Sequence, residues 1–456
     1  MDNASHRARI CCLDLDTFFV SVERLFRPEL NGKPVVVGAV PGTRGVVAAA
    51  SYEVRAFGVR SGMLIAEAYR LASHAIYLSG RHGEYSKYAS RVKEILERYT
   101  PIVRTASIDE YFLDFRWCEG LYRQASDADG DATIERVVRE MCQVIRDEVG
   151  LPASAGVATS RPVAKMASNV AKPAGVRMVR FGEERAFVEP LTCRKWPGIG
   201  PVADERLREA GIHTLGQLLA VSERSREHSL AASVRRVVSA EGESSLGRDR
   251  PAFREHDPEG LTVGSISNES TFGHDVDDLH AIQDRLRSLC ERVCWRARQR
   301  GILARTITLK LRYADFETLT RACTIKATNV ESRVLACVKE LFRDNYDGHR
   351  QVRLLGIALS GLEECFQLEL PFEEAARPPM QKAIDAVRER FGYEAIRLGL
   401  AESSRRGRPV PTRPSVTRPR RGELPLTPAL LRSSLKGSSP RLKFWKRLPP
   451  PSRVRC

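Results

Sequence analysis

Three carboxylate side chains stand where metal-dependent chemistry is possible. Asp14 ends the apolar run Ile10–Leu13, which is typical of a strand buried on both faces, and Asp109 and Glu110 lie between two further strand patterns. An ionised carboxylate at the end of a buried strand needs a cation or another partner. A capping or salt-bridged aspartate explains Asp14 equally well, and a solvated acidic pair at a turn explains the other two.

Taken together, the three carboxylates could hold two Mg2+ ions about 3.5–4 Å apart for an in-line phosphoryl displacement. One ion would lower the pKa of an attacking 3′-hydroxyl, and the other would hold a triphosphate and its leaving pyrophosphate. Asp14 and Asp109 would bridge both ions, and Glu110 would ligate the catalytic one. The three residue types therefore favour a two-metal nucleotidyl-transfer site.

A triphosphate also needs cations and hydrogen-bond donors around it. Tyr52 and Arg55 are three residues apart in a short predicted helix, so they share a face. Lys165 and Lys172 are seven residues apart and are predicted to share a face of the helix Arg161–Ala171. Each of these side chains is also what a solvated helix surface presents. The sequence has no GxxxxGK[ST] or GxGxxG motif, so a P-loop or Rossmann nucleotide site is not supported.

Secondary-structure elements must position these groups. The chain has 456 residues, of which 42% are hydrophobic, and this length predicts about three domains. Short helices are predicted over residues 181–245, and residues 246–260 combine charges and breakers without periodicity, which indicates a linker. Gly198 and Gly200 fit a helix–hairpin–helix, in which glycines let backbone N–H groups approach DNA phosphates.

The region 261–362 is predicted to be a βαββαβ module. Its first inner strand alternates Ile307, Leu309 and Leu311 with Lys310 and Arg312, which predicts a sheet with one buried face and one wettable face.

The positive charge is concentrated at the C-terminus. Residues 404–456 carry +14 of the formal net charge of +16 and are predicted to form a disordered basic tail. Such a tail adds salt-sensitive attraction to phosphate backbones, although a solvated tail without a role is an equally good interpretation. The 11 cysteines form no CxxC pair, which predicts reduced thiols and no zinc site. The absence of a long apolar run or a signal-peptide pattern predicts a cytoplasmic protein with no membrane partner.

Several motifs in register resemble the Y-family, or translesion, DNA polymerases, and most closely the bacterial DNA polymerase IV branch. The resemblance extends over about residues 9–362. The motifs that carry it are Asp14–Phe19, Ser51–Val59, Ser107–Glu110, Ala155–Ala158, Ala164–Ser168, Ala171–Gly175 and Pro197–Gly200.

The resemblance implies an α+β multidomain protein with the right-hand polymerase architecture. The palm would comprise residues 1–17 and 81–180, and short fingers would comprise 18–80. A helix–hairpin–helix thumb would follow over 181–245 and a βαββαβ little finger over 261–362.

The resemblance also implies roles for individual residues. Leu15 would offer its backbone carbonyl to a metal ion. Phe19 falls at the steric-gate position, where an aromatic ring under the sugar would clash with a 2′-hydroxyl and reject ribonucleotides. The positions that match nucleotide contacts are Phe18, Phe19, Tyr52, Arg55 and Lys172. The positions expected to contact DNA are Gly198, Gly200, Lys310 and Arg312.

Residues 363–403 would hold a clamp-binding peptide and a helix. The residues Gln367, Leu368, Leu370 and Phe372 resemble the QLxLxF peptide that docks bacterial polymerases on the sliding clamp. An ordinary amphipathic strand end is the alternative.

The implied function is error-prone translesion synthesis in DNA repair, in which dNTPs are added to the primer 3′-hydroxyl of primer–template DNA. Two Mg2+ ions would serve as cofactors, no proofreading is expected, and the protein would act as a monomer at the nucleoid. Two other classes remain open: a catalytically silent DNA- and clamp-binding scaffold, and a nucleotide cyclase on a similar palm. The intact carboxylates argue against the scaffold, and the hairpin and βαββαβ module argue against the cyclase.

Overall fold

The computed structural model describes residues 8–222, 224–238, 264–364 and 379–396. Its strands are β1 (Ile10–Leu15), β2 (Val35–Gly38), β3 (Val47–Ala50), β4 (Ile76–Ser79), β5 (Val103–Thr105), β6 (Glu110–Asp114), β7 (Ala153–Ala158), β8 (Val176–Met178), β9 (Ser265–Val276), β10 (Ile302–Tyr313), β11 (Thr318–Thr328) and β12 (Val352–Glu364). Its α-helices are α1 (Phe18–Phe26), α2 (Tyr52–Arg55), α3 (Ile65–Leu71), α4 (His82–Leu96), α5 (Glu119–Tyr122), α6 (Gly130–Val149), α7 (Arg161–Ala171), α8 (Glu184–Val188), α9 (Pro201–Glu209), α10 (Leu215–Leu219), α11 (His228–Val238), α12 (Leu279–Gln299), α13 (Glu331–Asn345) and α14 (Pro379–Phe391).

The first sheet has five strands in the order β5-β6-β1-β7-β8. Its central strand β1 pairs antiparallel with both β6 and β7. Ile10, Cys11 and Leu13 of this strand are completely buried, as the apolar run predicted. The polar residues that end β1 therefore lie at a fixed edge of a rigid sheet.

Helix α7 packs across β7 and β1 because a glycine allows close contact. A Cβ atom built on Gly156 would lie 2.2 Å from the carbonyl oxygen of Ala164 and from the backbone nitrogen of Ser168, so no larger residue fits there. The helix has the bounds that the sequence predicted. This packing brings Lys165 over the edge of the sheet where β1 ends.

A second sheet has three strands in the order β3-β2-β4, in which β2 pairs antiparallel with β3 and parallel with β4. The buried side chains of Val35 and Val37 pack into the same core as Leu13 and Leu15 of the first sheet. Helix α1 connects the two sheets, so their facing edges enclose a cleft.

The segment after residue 181 contains short helices, as predicted. Helices α8 to α11 share a core with β1 and α7 that includes Trp196, Leu207, Leu218 and Val234. The predicted linker 246–260 lies outside the described residues.

The third sheet confirms the predicted βαββαβ module. Its strands have the order β11-β10-β12-β9, and α12 and α13 contribute to its core. Along β10 the side chains of Ile307, Leu309, Leu311 and Tyr313 are buried, and the alternating residues are partly exposed. No helix of the described residues is long and apolar enough to cross a membrane.

The prediction that every thiol is reduced is wrong for one pair. The structure joins Cys323 of β11 to Cys337 of α13 by a disulfide whose Cα atoms are 7.2 Å apart. The two residues are 14 positions apart and carry no spacing signal, so only the packing of the strand against the helix shows their proximity. The other described thiols are buried except that of Cys142, which is partly exposed; desolvation raises the pKa of Cys142 to about 12, which disfavours its thiolate form.

Helix α14 is held against α12 by buried ion pairs. Arg298 Nε lies 2.7 Å from Asp385 Oδ2, and Arg388 Nη2 lies 3.0 Å from Glu291 Oε2, with all four side chains nearly inaccessible to solvent. Removal of one partner from either pair would leave a buried charge uncompensated, so the two pairs stabilise the packing of α14 on α12.

Glu331 adds a titrating group to this cluster. Burial, followed by the charge of Glu291, raises the pKa of Glu331 to about 7, while Arg298 and Arg388 oppose the shift and Asp385 adds to it. A carboxyl with a raised pKa stabilises the folded state most below its ordinary value of 4.5, and this stability is lost as the pH rises through about 7.

We therefore expect Glu331→Gln to stabilise the protein at pH 8 relative to wild type more than it does at pH 5. Thermal unfolding of both proteins at the two pH values measures this difference. An equal shift in Tm at pH 5 and pH 8 would contradict the assignment of the titration to Glu331.

Candidate active site

The register of the first sheet brings the predicted carboxylates together. Asp14 of β1 lies directly opposite Glu110 of β6, and directly opposed residues of an antiparallel pair point to the same face. The backbone nitrogen of Leu15 donates a hydrogen bond to the carbonyl oxygen of Asp109 at 2.9 Å, which holds the main chain of Asp109 beside the end of β1.

Two lysines oppose this negative charge. Lys172 Nζ lies 2.6 Å from Asp14 Oδ1, and Lys165 forms an ion pair with Glu110. The prediction that both lysines share a helix face is wrong in detail, because α7 ends at Ala171 and Lys172 has extended backbone. The two lysines still converge on the same carboxylates, since the helix and the loop after it lie over the same sheet edge.

Burial raises the pKa of Asp14 to about 6, against the opposing effect of Lys172, and the nearby charges of Asp109 and Glu110 raise it further. The carboxylates therefore repel one another through a partly desolvated space. A divalent cation would relieve this repulsion, and carboxylate and carbonyl oxygens are the ligands that Mg2+ prefers.

The donor set fits a metal site, although its side chains are turned to other partners. No group of three His, Cys, Asp or Glu side chains among the described residues is close enough to hold an ion as it stands. Asp14 and Glu110 bind the two lysines, and Ser107 Oγ donates to Asp109 Oδ1 at 2.5 Å. Small side-chain rotations would be needed to bring the oxygens to one cation.

A cleft of about 130 Å³ opens beside these carboxylates. The carboxylate edge forms one wall, and α1, β3 and the loop after α2 form the others. Its lining residues are Asp14, Leu15, Thr17, Phe18, Phe19, Ala48, Ala49, Arg55, Ser61, Asp109 and Lys172.

Tyr52 and Arg55 share a face, as the spacing predicted. The guanidinium carbon of Arg55 lies 5.0 Å from the centre of the Tyr52 ring, and Arg55 Nε donates to the carbonyl oxygen of Ala50 at 3.0 Å. The Ser51 hydroxyl accepts a hydrogen bond from the Val54 backbone nitrogen and so caps this short helix. Arg55 is thereby held with its charge beside the cleft.

Asp16 is an important residue that sequence reasoning did not select. It is 1% exposed, and it accepts hydrogen bonds from the Ser154 hydroxyl, the Ala174 backbone nitrogen and the Tyr52 hydroxyl. It therefore ties the end of β1 to the loop that carries Lys172. The available signal was a second carboxylate two residues after Asp14, immediately after the end of β1.

Phe19 lines the cleft and is supported from behind. Its ring stacks on Tyr85 with centroids 4.3 Å apart and planes 15° apart. The Tyr85 hydroxyl donates to Glu23 Oε1 at 2.7 Å, and Arg81 forms an ion pair with the same carboxylate. Just before Phe19, Thr17 has a φ of 44°, an unfavourable conformation for a β-branched residue that sets the direction of α1.

The remaining predicted residues lie elsewhere. Gly198 has a φ of 100° and Gly200 is the N-cap residue of α9, in keeping with a hairpin between short helices. On the third sheet Lys310 pairs with Glu269 and Arg312 donates to Thr318. The clamp-peptide residues Gln367, Leu368, Leu370 and Phe372 and the tail 404–456 lie outside the described residues.

Comparison with known proteins places this site in a family. The model of the impB/mucB/samB family matches residues 13–169, and the model of that family's C-terminal domain matches residues 263–370. DNA polymerase IV of Dehalococcoides mccartyi (strain CBDB1) is 35% identical over 397 residues, which cover 86% of this chain and 97% of that protein. DNA polymerase IV of Streptomyces coelicolor is 38% identical over 370 residues, which cover 80% of this chain and 73% of that protein.

Solved structures agree with these relatives. A Y-family DNA polymerase chimera matches with a TM-score of 0.61 and 25% sequence identity over 78% of this chain and 99% of its own. DinB from Sulfolobus solfataricus matches with a TM-score of 0.52 and 26% identity over 77% and 98% of the two chains. The chain belongs to the impB/mucB/samB family and is a DNA-directed DNA polymerase of the translesion, or Y-family, class.

Proposed function

We propose that the protein performs error-prone synthesis opposite damaged bases by two-metal nucleotidyl transfer from dNTPs, without proofreading. The observation that carries the proposal is that Asp14 and Asp109 line one cleft together with Phe19 and Arg55, while Glu110 lies directly opposite Asp14 in the sheet. This arrangement supports the proposal because carboxylate oxygens, a guanidinium group and an aromatic ring surround one cleft.

Within this proposal, Asp14, Asp109, Glu110 and the carbonyl of Leu15 hold Mg2+, which supplies positive charge to the triphosphate and acidifies the primer 3′-hydroxyl. Lys172 is released from Asp14 and contacts phosphate oxygens together with Tyr52 and Arg55. Phe18 fixes the floor of the cleft from its buried position.

The domain layout follows from the same proposal. The five-stranded sheet corresponds to the palm (1–17 and 81–180) and the three-stranded sheet to the fingers (18–80). The short helices correspond to the thumb (181–245), and the four-stranded sheet to the little finger (261–362). The primer–template is contacted by the backbone N–H groups of Gly198 and Gly200 and by the side chains of Lys310 and Arg312. The basic tail adds electrostatic attraction to the DNA. Complexes of the related Dbh DNA polymerase include an insertion ternary complex and a post-insertion binary complex.

The proposed function is tested by primer extension with Mg2+ on an undamaged template and on one that carries a bulky adduct. We expect extension past the adduct, and we expect a primer with a mismatched 3′ end to stay undegraded when dNTPs are omitted. Arrest at every adduct supplied would contradict translesion activity, and shortening of the mismatched primer would contradict the absence of proofreading.

We also propose that the protein works as a monomer at the nucleoid and binds the sliding clamp through residues 367–372. Replacing Leu370 and Phe372 by alanine should abolish the stimulation of synthesis by the clamp, because the aliphatic and aromatic anchors that fill a hydrophobic groove are lost. Basal synthesis without the clamp should not change, and Glu369→Ala serves as a matched control inside the same peptide. Equal stimulation of wild type and the double variant would rule out this peptide as the clamp contact.

A further inference from the structure

An ion pair joins the loop between β2 and β3 to a strand of the third sheet. Arg44 Nη1 lies 2.6 Å from Asp275 Oδ1, and Arg44 Nη2 lies 3.1 Å from Asp275 Oδ2. Arg44 Nη1 also donates to the carbonyl oxygen of Phe272 at 3.2 Å. Two parallel bonds between guanidinium and carboxylate fix relative orientation as well as distance. The pair is about three-quarters buried on each side, which limits its screening by solvent.

A bulge in β9 presents the acidic half of this contact. Leu354 pairs with Thr271, but Val352 pairs with Val276, so residues 272–275 stand opposite the single residue Arg353. The extra residues of such a bulge do not take part in the regular pairing between strands, and their side chains point in new directions. Here the extra residues carry the Asp275 carboxylate and the Phe272 carbonyl out to Arg44, with Arg353 Nη1 3.7 Å from Asp275 Oδ1.

The loop that presents Arg44 is held by glycines that no other residue can replace. Gly45 has a φ of 154°, and a Cβ atom built there would lie 2.5 Å from Ala39 Cβ. Gly38 has a φ of 152°, and its Cβ would lie 2.5 Å from the carbonyl oxygen of Val46. The Gly45 carbonyl accepts a hydrogen bond from the Ile65 backbone nitrogen at 3.0 Å. Arg44 is therefore carried on a backbone of fixed shape.

The same loop runs directly into a wall of the nucleotide cleft. Arg44 is followed by β3, whose Ala48 and Ala49 line the cleft, and then by α2, which carries Tyr52 and Arg55. Only three residues lie between Arg44 and Ala48, so a shift of the bulge is transmitted to the cleft with little slack.

We propose that the contact between Arg44 and Asp275 couples the position of the four-stranded sheet to the wall of the nucleotide cleft. Binding of the duplex by this sheet would then set the affinity for the incoming nucleotide. Arg44 and Asp275 are positioning residues in this account, since neither lines the cleft. The nucleotide and duplex in this inference rest on the proposed function.

The test is a double-mutant cycle with Arg44→Ala, Asp275→Asn and the combined variant, measured by single-nucleotide addition. We expect each single change to raise KM for the dNTP about five- to tenfold with little change in kcat, and the double change to cost no more than either single one. Charge reversal is avoided because an arginine at 275 would face Arg353. Arg305→Ala removes an exposed ion pair with Glu363 inside the same sheet and should leave KM unchanged.

Hydrogen–deuterium exchange provides a readout that does not depend on activity. Asp275→Asn should speed exchange in residues 39–50, although the substitution lies in a strand far along the chain. Unchanged exchange there, or KM effects that multiply in the double variant, would overturn the coupling. If the wild type adds no nucleotide while exchange responds to Asp275→Asn, the proposed function fails and the mechanical coupling stands.

Discussion

Replacing Asp109 and Glu110 together by alanine is expected to reduce primer extension by at least about 1,000-fold, because loss of metal ligands removes several kcal/mol of transition-state stabilisation. Glu110 begins β6 opposite Asp14, and Asp109 immediately precedes the strand. Binding of primer–template should change little, since the surfaces expected to contact the duplex lie on other elements. The measurement is single-turnover extension at saturating dNTP, together with the Kd for the duplex.

Controls separate lost chemistry from lost folding. Asp109→Asn with Glu110→Gln keeps the shape of both side chains, and it should lose activity to a similar degree while keeping the wild-type Tm. Glu119→Ala removes a carboxylate that pairs with Arg9 and does not line the cleft, so its effect on extension should be small. Substantial extension by the isosteric double variant would show that these carboxylates do not hold the metals.

Phe19→Ala is expected to admit ribonucleotides, lowering the preference for dNTP over rNTP roughly 100-fold. The aromatic ring lies in the cleft wall and is braced by Tyr85, so a sugar 2′-hydroxyl would collide with a ring that cannot move aside. The measurement is kcat/KM for dCTP and CTP opposite template guanine.

Two further variants test the physical reason. Phe19→Leu keeps bulk and should retain more discrimination than Phe19→Ala. Tyr85→Ala removes the brace without touching the sugar, so it should relax discrimination in the same direction to a smaller extent. Undiminished sugar discrimination in Phe19→Ala would refute the gate.

The fold could be predicted from the sequence wherever periodicity is strong. The apolar run before Asp14 indicated a central strand, the bounds of α7 agree to the residue, and the alternation along β10 identified its buried face. In each case the spacing of the apolar residues matches the period of a single type of secondary structure. Burial of one or both faces then leaves only one register in which these residues are buried.

The contacts between distant elements could not be read in the same way. Lys165 reaches Glu110 only because Gly156 lets α7 lie close to the sheet, and Asp16 binds three groups from different segments. The bulge that carries Asp275 depends on strand register, and the Cys323–Cys337 pair depends on how β11 meets α13. Such features arise from tertiary packing, which a single sequence does not display.

The site residues were predicted from residue chemistry combined with family resemblance. Asp14, Asp109 and Glu110 do lie together, and Phe19, Arg55 and Lys172 line the same cleft. Their roles in metal and nucleotide binding stay predictions that the variants above test. The carboxylates also form ion pairs with Lys165 and Lys172. The seven-residue spacing placed both lysines on one helix, whereas Lys172 lies beyond its end.

The most direct test of the central claim is addition of a single nucleotide while the templating base is varied. Wild-type protein, Mg2+ and one dNTP at a time are supplied with four primer–templates that differ only in that base. We expect the complementary nucleotide to be added fastest in every case. Addition at a rate indifferent to the templating base, or binding of the duplex without any addition, would contradict it, and the latter would favour a silent scaffold.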